Sequence, residues 1–99
     1  ESHHAQKKDA PSGTAKFLAQ RLSLDEGSVF SLRGGDDPGT HRIFLLGPGE
    51  EICLTHRVHS RRVFAEGALN ALQTLSTLPP GLYRPDQILL GEEPCHDRP

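Results

Sequence analysis

The pattern of hydrophobic and polar positions divides the chain into short strands and two helices. Alternating or continuous apolar runs predict strands at residues 28–33, 41–46 and 51–58, and the end of a further strand at residues 1–4. The segments 34–39 and 47–49 are rich in glycine and proline, so they predict short turns between the three strands. Because consecutive strands with short links usually pair, the pattern favours an antiparallel meander.

Two segments have the apolar spacing of amphipathic helices. The first follows Ser12, a favourable N-cap residue, and is expected to run for about three turns before Asp25-Glu26-Gly27 ends it. The second covers roughly residues 61–76, with Ser60 as its predicted cap and small residues that allow close packing. Pro79-Pro80-Gly81 is expected to stop it. The local pattern therefore places the strands between two helices.

The last fifth of the chain carries apolar side chains that it is too short to cover. Leu82-Tyr83 and Ile88-Leu89-Leu90 are short apolar patches, which predicts a docking segment for a partner. The end of the chain, residues 92–99, is polar and is predicted to be disordered. We therefore divide the chain into a domain at 1–78 and a docking tail at 79–99.

Composition narrows the function classes. Ninety-nine residues make one domain or part of a longer chain, and 34% apolar residues with no Trp or Met leave few core anchors. We therefore expect a fragment of a longer protein, or a domain that needs contacts with a partner for its stability. The net charge of −2 argues against a nucleic-acid-binding face, whereas local clusters of Lys and Arg suit a small anionic ligand.

The expected location is cytoplasmic, without a membrane partner. No apolar run reaches the roughly 20 residues of a membrane-spanning helix, and the start does not resemble a secretion signal. Cys53 and Cys95 match no metal-binding spacing, and the simplest interpretation is two free thiols in a reducing compartment.

The segment Ser12-Gly13-Thr14 predicts a cradle for a carboxylate or phosphate. A helix N-terminus offers unpaired backbone N–H groups and partial positive charge. Gly13 permits close approach of a ligand to the backbone, and the hydroxyls of Ser12 and Thr14 add donors. The alternative is an ordinary serine-capped helix without a ligand, and the spacing alone leaves both open.

Groups that can move protons or compensate charge precede this cradle. Neighbouring residues of a strand point to opposite faces, so His3 and His4 are not expected to share a metal ion. One imidazole can face a pocket while the other packs behind it. Lys7 gains interest from its proximity to the cradle, and Asp9 could orient it. Structural imidazoles and solvated lysines are the open alternative.

The remaining histidines and a pair of arginines are weaker candidates for a metal site or a substrate-binding site. His56 and His59 straddle a strand end and His41 lies apart, so no metal site is predicted. Arg61 and Arg62 open the second helix, where the helix dipole disfavours positive charge, and an arginine there often binds a carboxylate. We include Arg61 among the candidate substrate-binding residues, with a solvated pair as the alternative.

Several of these segments together resemble the dihydrodipicolinate reductase family. The resemblance is carried by Glu1-x-His3-His4-x-x-Lys7-x-Asp9-Ala10-Pro11-Ser12-Gly13-Thr14-Ala15, Arg33-Gly34-Gly35-Asp36-x-x-Gly39-x-His41, Leu54-Thr55-His56, Ser60-Arg61, Phe64-Ala65-x-Gly67-Ala68 and Gly81-Leu82-Tyr83. It covers residue 1 to about residue 90. The first motif is long and therefore specific.

The resemblance implies the C-terminal substrate-binding and tetramerisation domain of such an enzyme. Its fold would be α+β, with a mixed or antiparallel sheet of three to four strands and two helices packed on one face. The family reduces a cyclic imine dicarboxylate with NADPH or NADH on the diaminopimelate route to lysine. By this resemblance His3 and Lys7 are catalytic, and His4, Gly13 and Thr14 contact the substrate; we add Ser12 from the cradle.

The chain also departs from the family. It contains no Gly-rich dinucleotide-binding turn, so cofactor binding is expected on an N-terminal domain that is absent here, against which the 79–99 tail would dock. The segment between the first helix and residues 28–33 is shorter than the family usually has. We expect a homotetramer in the complete enzyme and no activity of this chain alone. The rival is a stand-alone dicarboxylate-binding or oligomerisation module without catalysis.

Overall fold

The computed structural model describes residues 1–90, and the chain divides into two compact units, with the boundary between Ser60 and Arg61. The predicted disorder of residues 92–99 and the state of Cys95 lie outside the described residues. Within the part described, no helix is both long enough and apolar enough to cross a bilayer.

The first unit is built on a four-stranded mixed sheet. Its strands are β1 (Ser2–His3), β2 (Leu32–Arg33), β3 (Thr40–Gly47) and β4 (Glu50–Arg57). Their order in the sheet is β2-β1-β3-β4, with β1 parallel to β2 and antiparallel to β3, and with β3 antiparallel to β4. The expected α+β fold with a mixed sheet is confirmed.

The predicted meander is wrong at one place. Only β3 and β4 form a hairpin, while β1 lies between β2 and β3, so that Ser2 pairs with both Leu32 and Thr40. Local alternation identifies strands but not their neighbours. The short link between β2 and β3 had suggested that these two strands pair. Instead β1, which is distant in the chain, pairs with β3.

The strand predicted at residues 28–33 is shorter than expected. Residues Glu26–Ser28 form a 3₁₀ turn, and the Asp25 carboxylate accepts the Ser28 backbone N–H at 3.2 Å. An aspartate in this position satisfies the first free N–H groups of a helical turn. The extended segment therefore begins later, and only Leu32–Arg33 joins the sheet.

Helix α1 (Gly13–Arg21) begins as predicted and ends early. Ser12 is its N-cap, and the Ser12 hydroxyl accepts the Ala15 N–H at 3.1 Å. The expected three turns are cut to nine residues because Ser23 adopts a left-handed conformation with φ of 57°. The Ser23 and Leu24 N–H groups then bond back to the last helical carbonyls, which closes the helix.

The second unit contains two helices, α2 (Arg62–Leu75) and α3 (Pro85–Leu90), which contact each other. The predicted helix at 61–76 is confirmed, but its N-cap is Arg61 rather than Ser60, and no side chain caps it. Within this unit the Tyr83 hydroxyl donates to the Pro79 carbonyl at 2.7 Å. Part of the predicted tail is thus ordered as a short helix.

Few apolar side chains are buried in the described part of the chain. Only Ala15, Ala19 and Val58 form a buried apolar core, and no large side chain is fully enclosed. In contrast, β3 and β4 expose large apolar side chains, with Leu46 72% exposed. A monomeric protein rarely leaves a patch of this kind uncovered, which agrees with a domain that leans on a partner.

Candidate functional site

A buried ion pair lies at the centre of the first unit. The Glu1 side chain is only 2% exposed, and Arg33 Nη1 donates to both of its oxygens, at 3.0 and 3.2 Å. His3 Nδ1 lies 2.7 Å from Glu1 Oε1. His3 lies on β1, Glu1 comes directly before that strand, and Arg33 lies on β2. Because His3 pairs with Arg33 in register and Glu1 is two residues before His3, the three side chains share one face of the sheet.

The Glu1 carboxylate stays ionised in this setting. Burial by itself raises the pKa of Glu1, but hydrogen bonds from Ser31, Arg33 and His3 outweigh it and lower the pKa to about 2. An ionised carboxylate can only accept hydrogen bonds, so His3 Nδ1 must carry the proton of the bond that joins them. The tautomer of His3 is therefore set by Glu1.

His41 links His3 to the first turn of α1. The rings of His3 and His41 meet edge to face, with centroids 5.2 Å apart. His41 Nε2 lies 3.0 Å from the Ser12 hydroxyl, which is buried and also caps α1 through Ala15. Burial, followed by the charge of His3, lowers the pKa of His41, so this ring is neutral near pH 7.

Lys7 is held by Asp9 on the loop between β1 and α1. Lys7 Nζ lies 3.0 Å from Asp9 Oδ1, and this hydrogen bond is the main reason why the pKa of Asp9 is lowered. Arg33 Nη2 donates to the Asp9 carbonyl at 2.6 Å. The expectation that Asp9 could orient Lys7 agrees with this contact, and Arg33 fixes the loop that carries both.

The first turn of α1 is open. Among the hydrogen bonds of residues 1–90, none uses the N–H of Gly13 or Thr14, and both residues are exposed. A Cβ placed on Gly13 would meet nothing within 4 Å. The Ser12 hydroxyl is 2% exposed and already serves Ala15 and His41. The donors available to a ligand here are therefore the two N–H groups and the Thr14 hydroxyl.

The other predicted residues stand apart from this network. His4 is half-buried just after β1, and its carbonyl accepts the Lys7 N–H in a tight turn. His56 pairs with His41 across β3 and β4. Arg61 belongs to the second unit, where it is exposed at the start of α2. A substrate contact for Arg61 stays a prediction.

One carboxylate and two imidazoles come close enough to hold a metal ion. Ligand atoms of Glu1, His3 and His41 all lie within 4.8 Å of one another. The sequence had drawn attention to His56 and His59 instead. Arg33 occupies both oxygens of Glu1, and a guanidinium at 3.0 Å repels a cation. The donor set is one that zinc accepts, but the charge beside it opposes zinc.

A continuous path of contacts joins the members of this site. It runs from the first turn of α1 through Ser12, His41, His3, Glu1, Arg33 and Asp9 to Lys7. The sequence analysis had not assigned a site role to Glu1, Arg33 or His41. All three lie inside the motifs that carry the family resemblance, and a buried acid and arginine 32 residues apart leave no local pattern.

Comparisons with known proteins identify the family of the chain. Residues 1–89 match the family model described as dihydrodipicolinate reductase, C-terminus. The chain is similar to proteins named 4-hydroxy-tetrahydrodipicolinate reductase. That of Stenotrophomonas maltophilia K279a is 50% identical over 92 residues, covering 90% of this chain and 38% of the relative. That of Aquifex aeolicus is 43% identical over 108 residues, covering 90% and 41%.

A third relative, the protein of that name from Nitratidesulfovibrio vulgaris DP4, is 41% identical over 104 residues, covering 82% of this chain and 40% of the relative. The chain thus spans about two fifths of the length of the curated relatives it matches. The same 90% of the chain takes 92 aligned positions in one relative and 108 in another, so the relatives differ in insertions within the matched region.

Proposed function

The chain belongs to the dihydrodipicolinate reductase family, and on that premise we propose that it is the substrate-binding and proton-donating part of a 4-hydroxy-tetrahydrodipicolinate reductase. The complete enzyme would use NADPH or NADH to form tetrahydrodipicolinate on the diaminopimelate route to lysine, in the cytoplasm. The observation that supports this proposal most is the contact path that joins the α1 N-terminus to both His3 and Lys7.

The substrate would bind through its carboxylates. The free N–H groups of Gly13 and Thr14 and the partial positive charge of the helix end suit one carboxylate. Lys7 and His4 lie on the preceding segment and would compensate the second negative charge. His4 has no polar side-chain partner among the contacts of residues 1–90, so its ring nitrogens are available.

The chemistry assigned to this chain is proton transfer. A nicotinamide cofactor supplies a hydride to one ring carbon when it is bound. The neighbouring ring position then needs a proton, and we assign its donation to Lys7 and His3. The ammonium of Lys7 would also stabilise negative charge that develops on the ring. After the transfer, the donor regains its proton from solvent.

Cofactor binding is assigned to another part of the enzyme. The described residues hold no Gly-x-Gly-x-x-Gly turn between a strand and a helix. The tail at 79–99, which includes α3, is proposed to dock on the dinucleotide-binding domain.

The test compares the isolated chain with the natural full-length protein, taken from its start codon. We expect NADPH or NADH oxidation with the substrate only in the full-length protein. We also expect the full-length protein to bind pyridine-2,6-dicarboxylate, a stable planar analogue of the substrate. The double change G13V/T14V, which blocks the first turn of α1, should weaken this binding. Turnover by the isolated chain would refute the division of labour. Unchanged analogue binding in G13V/T14V would refute the cradle.

A second candidate is a dicarboxylate-binding or oligomerisation module without catalysis. The exposed apolar side chains of β3 and β4 favour an assembly role in either case. The genomic sequence upstream of Glu1 separates the two candidates. A strand followed by Gly-x-x-Gly-x-x-Gly in the same frame supports the enzyme, and a start codon directly before Glu1 supports the module.

A further inference from the structure

We infer that Glu1 and Arg33 act as a positioning pair, which presents His3 to a proton acceptor through Nε2 and holds the loop that carries Lys7. The inference deepens the proposed function, on which its catalytic part rests. Neither residue contacts the reacting atoms in this account. Both act through His3 and Lys7, and the contacts of one guanidinium connect the two.

The contact with Glu1 determines the tautomer of His3. Its Nδ1 lies 2.7 Å from a carboxylate that is almost wholly buried and ionised, so the proton between them belongs to Nδ1. The neutral ring must then have its lone pair on Nε2. Proton uptake and release by His3 are thus confined to Nε2, whereas a free histidine in water favours the opposite tautomer.

The Nε2 atom of His3 is accessible on the side of Gly39. Among the described residues, Arg33 Nε is the one buried side-chain nitrogen or oxygen that lacks a hydrogen-bond partner. His3 Nε2 has no protein partner either, so it must keep contact with solvent. It lies beside Gly39, where an added Cβ would stand 3.1 Å from it. The absence of a side chain at position 39 leaves this nitrogen open.

Arg33 compensates the charge of Glu1 and also holds the loop that carries Lys7. A buried carboxylate is costly unless a partner compensates it, and Arg33 does so with two hydrogen bonds to Glu1. The other arm of the same guanidinium holds the Asp9 carbonyl, and the Asp9 carboxylate holds Lys7 Nζ. A change at Arg33 therefore disturbs both candidate proton donors, whereas a change at Glu1 acts first on His3.

Neutron diffraction from crystals of the full-length protein tests the tautomer without any assay. At a pH where the ring is neutral, we expect a deuteron on Nδ1, between His3 and Glu1, and none on Nε2. A deuteron on Nε2 with a bare Nδ1 would overturn the inference. This result stands or falls independently of whether the protein is a reductase.

Kinetics of the full-length protein test the consequence. We expect kcat to fall in Glu1→Met by on the order of 100-fold with little change in KM, because the ring of His3 loses its orientation. Glu1→Gln keeps an acceptor oxygen and is expected to retain intermediate activity. Glu66→Gln and Glu66→Met, at an exposed carboxylate that pairs with Arg62 on α2, are the matched controls and should match the parent.

A folding defect is separated from a positioning defect by a second variant. Glu1→Met leaves a buried guanidinium unpaired, so the double variant E1M/R33M removes both charges together. If E1M/R33M folds like the parent and still loses kcat, the inference holds. Equal kcat in all Glu1 variants, or a rise in KM alone, would overturn it. A parent protein without reductase activity would refute the proposed function, and the neutron map would still decide the tautomer.

Discussion

Lys7 illustrates at the residue scale how a side chain with ordinary chemistry becomes a candidate catalyst. A lysine on a loop is usually a solvated charge. Here its ammonium is fixed by Asp9, and the Asp9 carbonyl is fixed in turn by Arg33 from β2. The ammonium thus has a defined position on the loop that leads into α1, which a mobile surface lysine lacks.

The change Lys7→Ala tests this role. In the full-length protein we expect kcat to fall by on the order of 100-fold or more while KM changes little, because a proton donor acts in the transition state. Lys8→Ala, an exposed neighbour with the same charge, is the control and should keep the parent rate. If Lys7→Ala raised KM only, Lys7 would be a binding cation and His3 would be the sole candidate acid.

The lowered pKa of Glu1 predicts that the free energy of unfolding depends on pH. Its pKa is lowered in the folded protein to about 2 from an ordinary value of 4.5, so folding favours the ionised form. The contribution is present above about pH 5 and is lost as the pH falls through 2, and it amounts to about 3 kcal/mol of unfolding free energy. We expect Glu1→Gln to flatten the acid limb of thermal stability between pH 5 and 2.

The control for this measurement is Glu66→Gln, which removes an exposed carboxylate. It should leave the acid limb as steep as in the parent protein. An acid limb of equal slope in the parent and in Glu1→Gln would contradict the assigned state of Glu1.

The sequence points to the residues that we propose act directly, but not to those that support them. His3, Lys7, Gly13 and Thr14 have residue types and spacings typical of proton transfer and anion binding. Glu1 and Arg33 meet only through the pairing of β1 with β2, which links residues 32 apart. Ser12 was predicted both as a cap and as a ligand donor, and its buried hydroxyl is engaged by Ala15 and His41.

At the scale of elements, the loop between β2 and β3 sets the surroundings of His3. Gly35 and Gly39 have positive φ angles of 58° and 153°, which L side chains rarely adopt, whereas Gly34 has no such constraint. At Gly35 an added Cβ meets nothing within 4 Å, but at Gly39 it meets the His3 ring at 3.1 Å. A side chain at position 35 would therefore cause backbone strain alone, whereas a side chain at position 39 would cause backbone strain and a clash with His3.

Three alanine substitutions test this separation in the full-length protein. Gly34→Ala should be nearly neutral, Gly35→Ala should cost about 1 kcal/mol from backbone strain, and Gly39→Ala should cost more and also lower kcat. Thermal unfolding and steady-state kinetics measure the two effects. Equal stability and equal kcat for Gly35→Ala and Gly39→Ala would contradict the placement of His3 Nε2 beside Gly39.

Element prediction succeeded where the determining contacts are local. Ser12 caps α1 through a bond three residues along the chain, and the turns at 34–39 and 47–49 follow their glycines and prolines. It failed where pairing is distant, since nothing in residues 28–33 shows that β1 will stand beside them. The prediction of a strand at residues 28–33 also failed at its start, because the Ser28 N–H donates to the Asp25 carboxylate in a 3₁₀ turn and does not join the sheet.

At the scale of the whole molecule, the exposed face of the β3–β4 hairpin calls for a partner. We name as the hairpin surface Leu45, Ile52 and Leu54, which are exposed and lie on one face of the hairpin, because Leu45 pairs with Ile52 and Ile43 pairs with Leu54. A long apolar edge strand promotes association unless it is covered. We propose that the hairpin surface is covered by other copies of the chain in the expected tetramer.

The double change I52E/L54E tests this assembly. We expect the full-length protein to shift from a tetramer to a smaller species, because charges on the hairpin surface oppose burial against another copy. Size-exclusion chromatography with light scattering measures the mass. Gln20→Glu, on the exposed side of α1, is the control and should leave the mass unchanged. A tetramer that persists in I52E/L54E would place the interface elsewhere.

The central claim is that this chain donates the proton of a reductase from a site built around His3 and Lys7. The most direct measurement is the steady-state oxidation of NADPH or NADH by the full-length protein with 4-hydroxy-tetrahydrodipicolinate, in parallel for the parent, Lys7→Ala and Lys8→Ala. We expect turnover by the parent and by Lys8→Ala and a large loss of kcat in Lys7→Ala. Equal kcat in all three proteins, or no turnover by the parent, would contradict the claim.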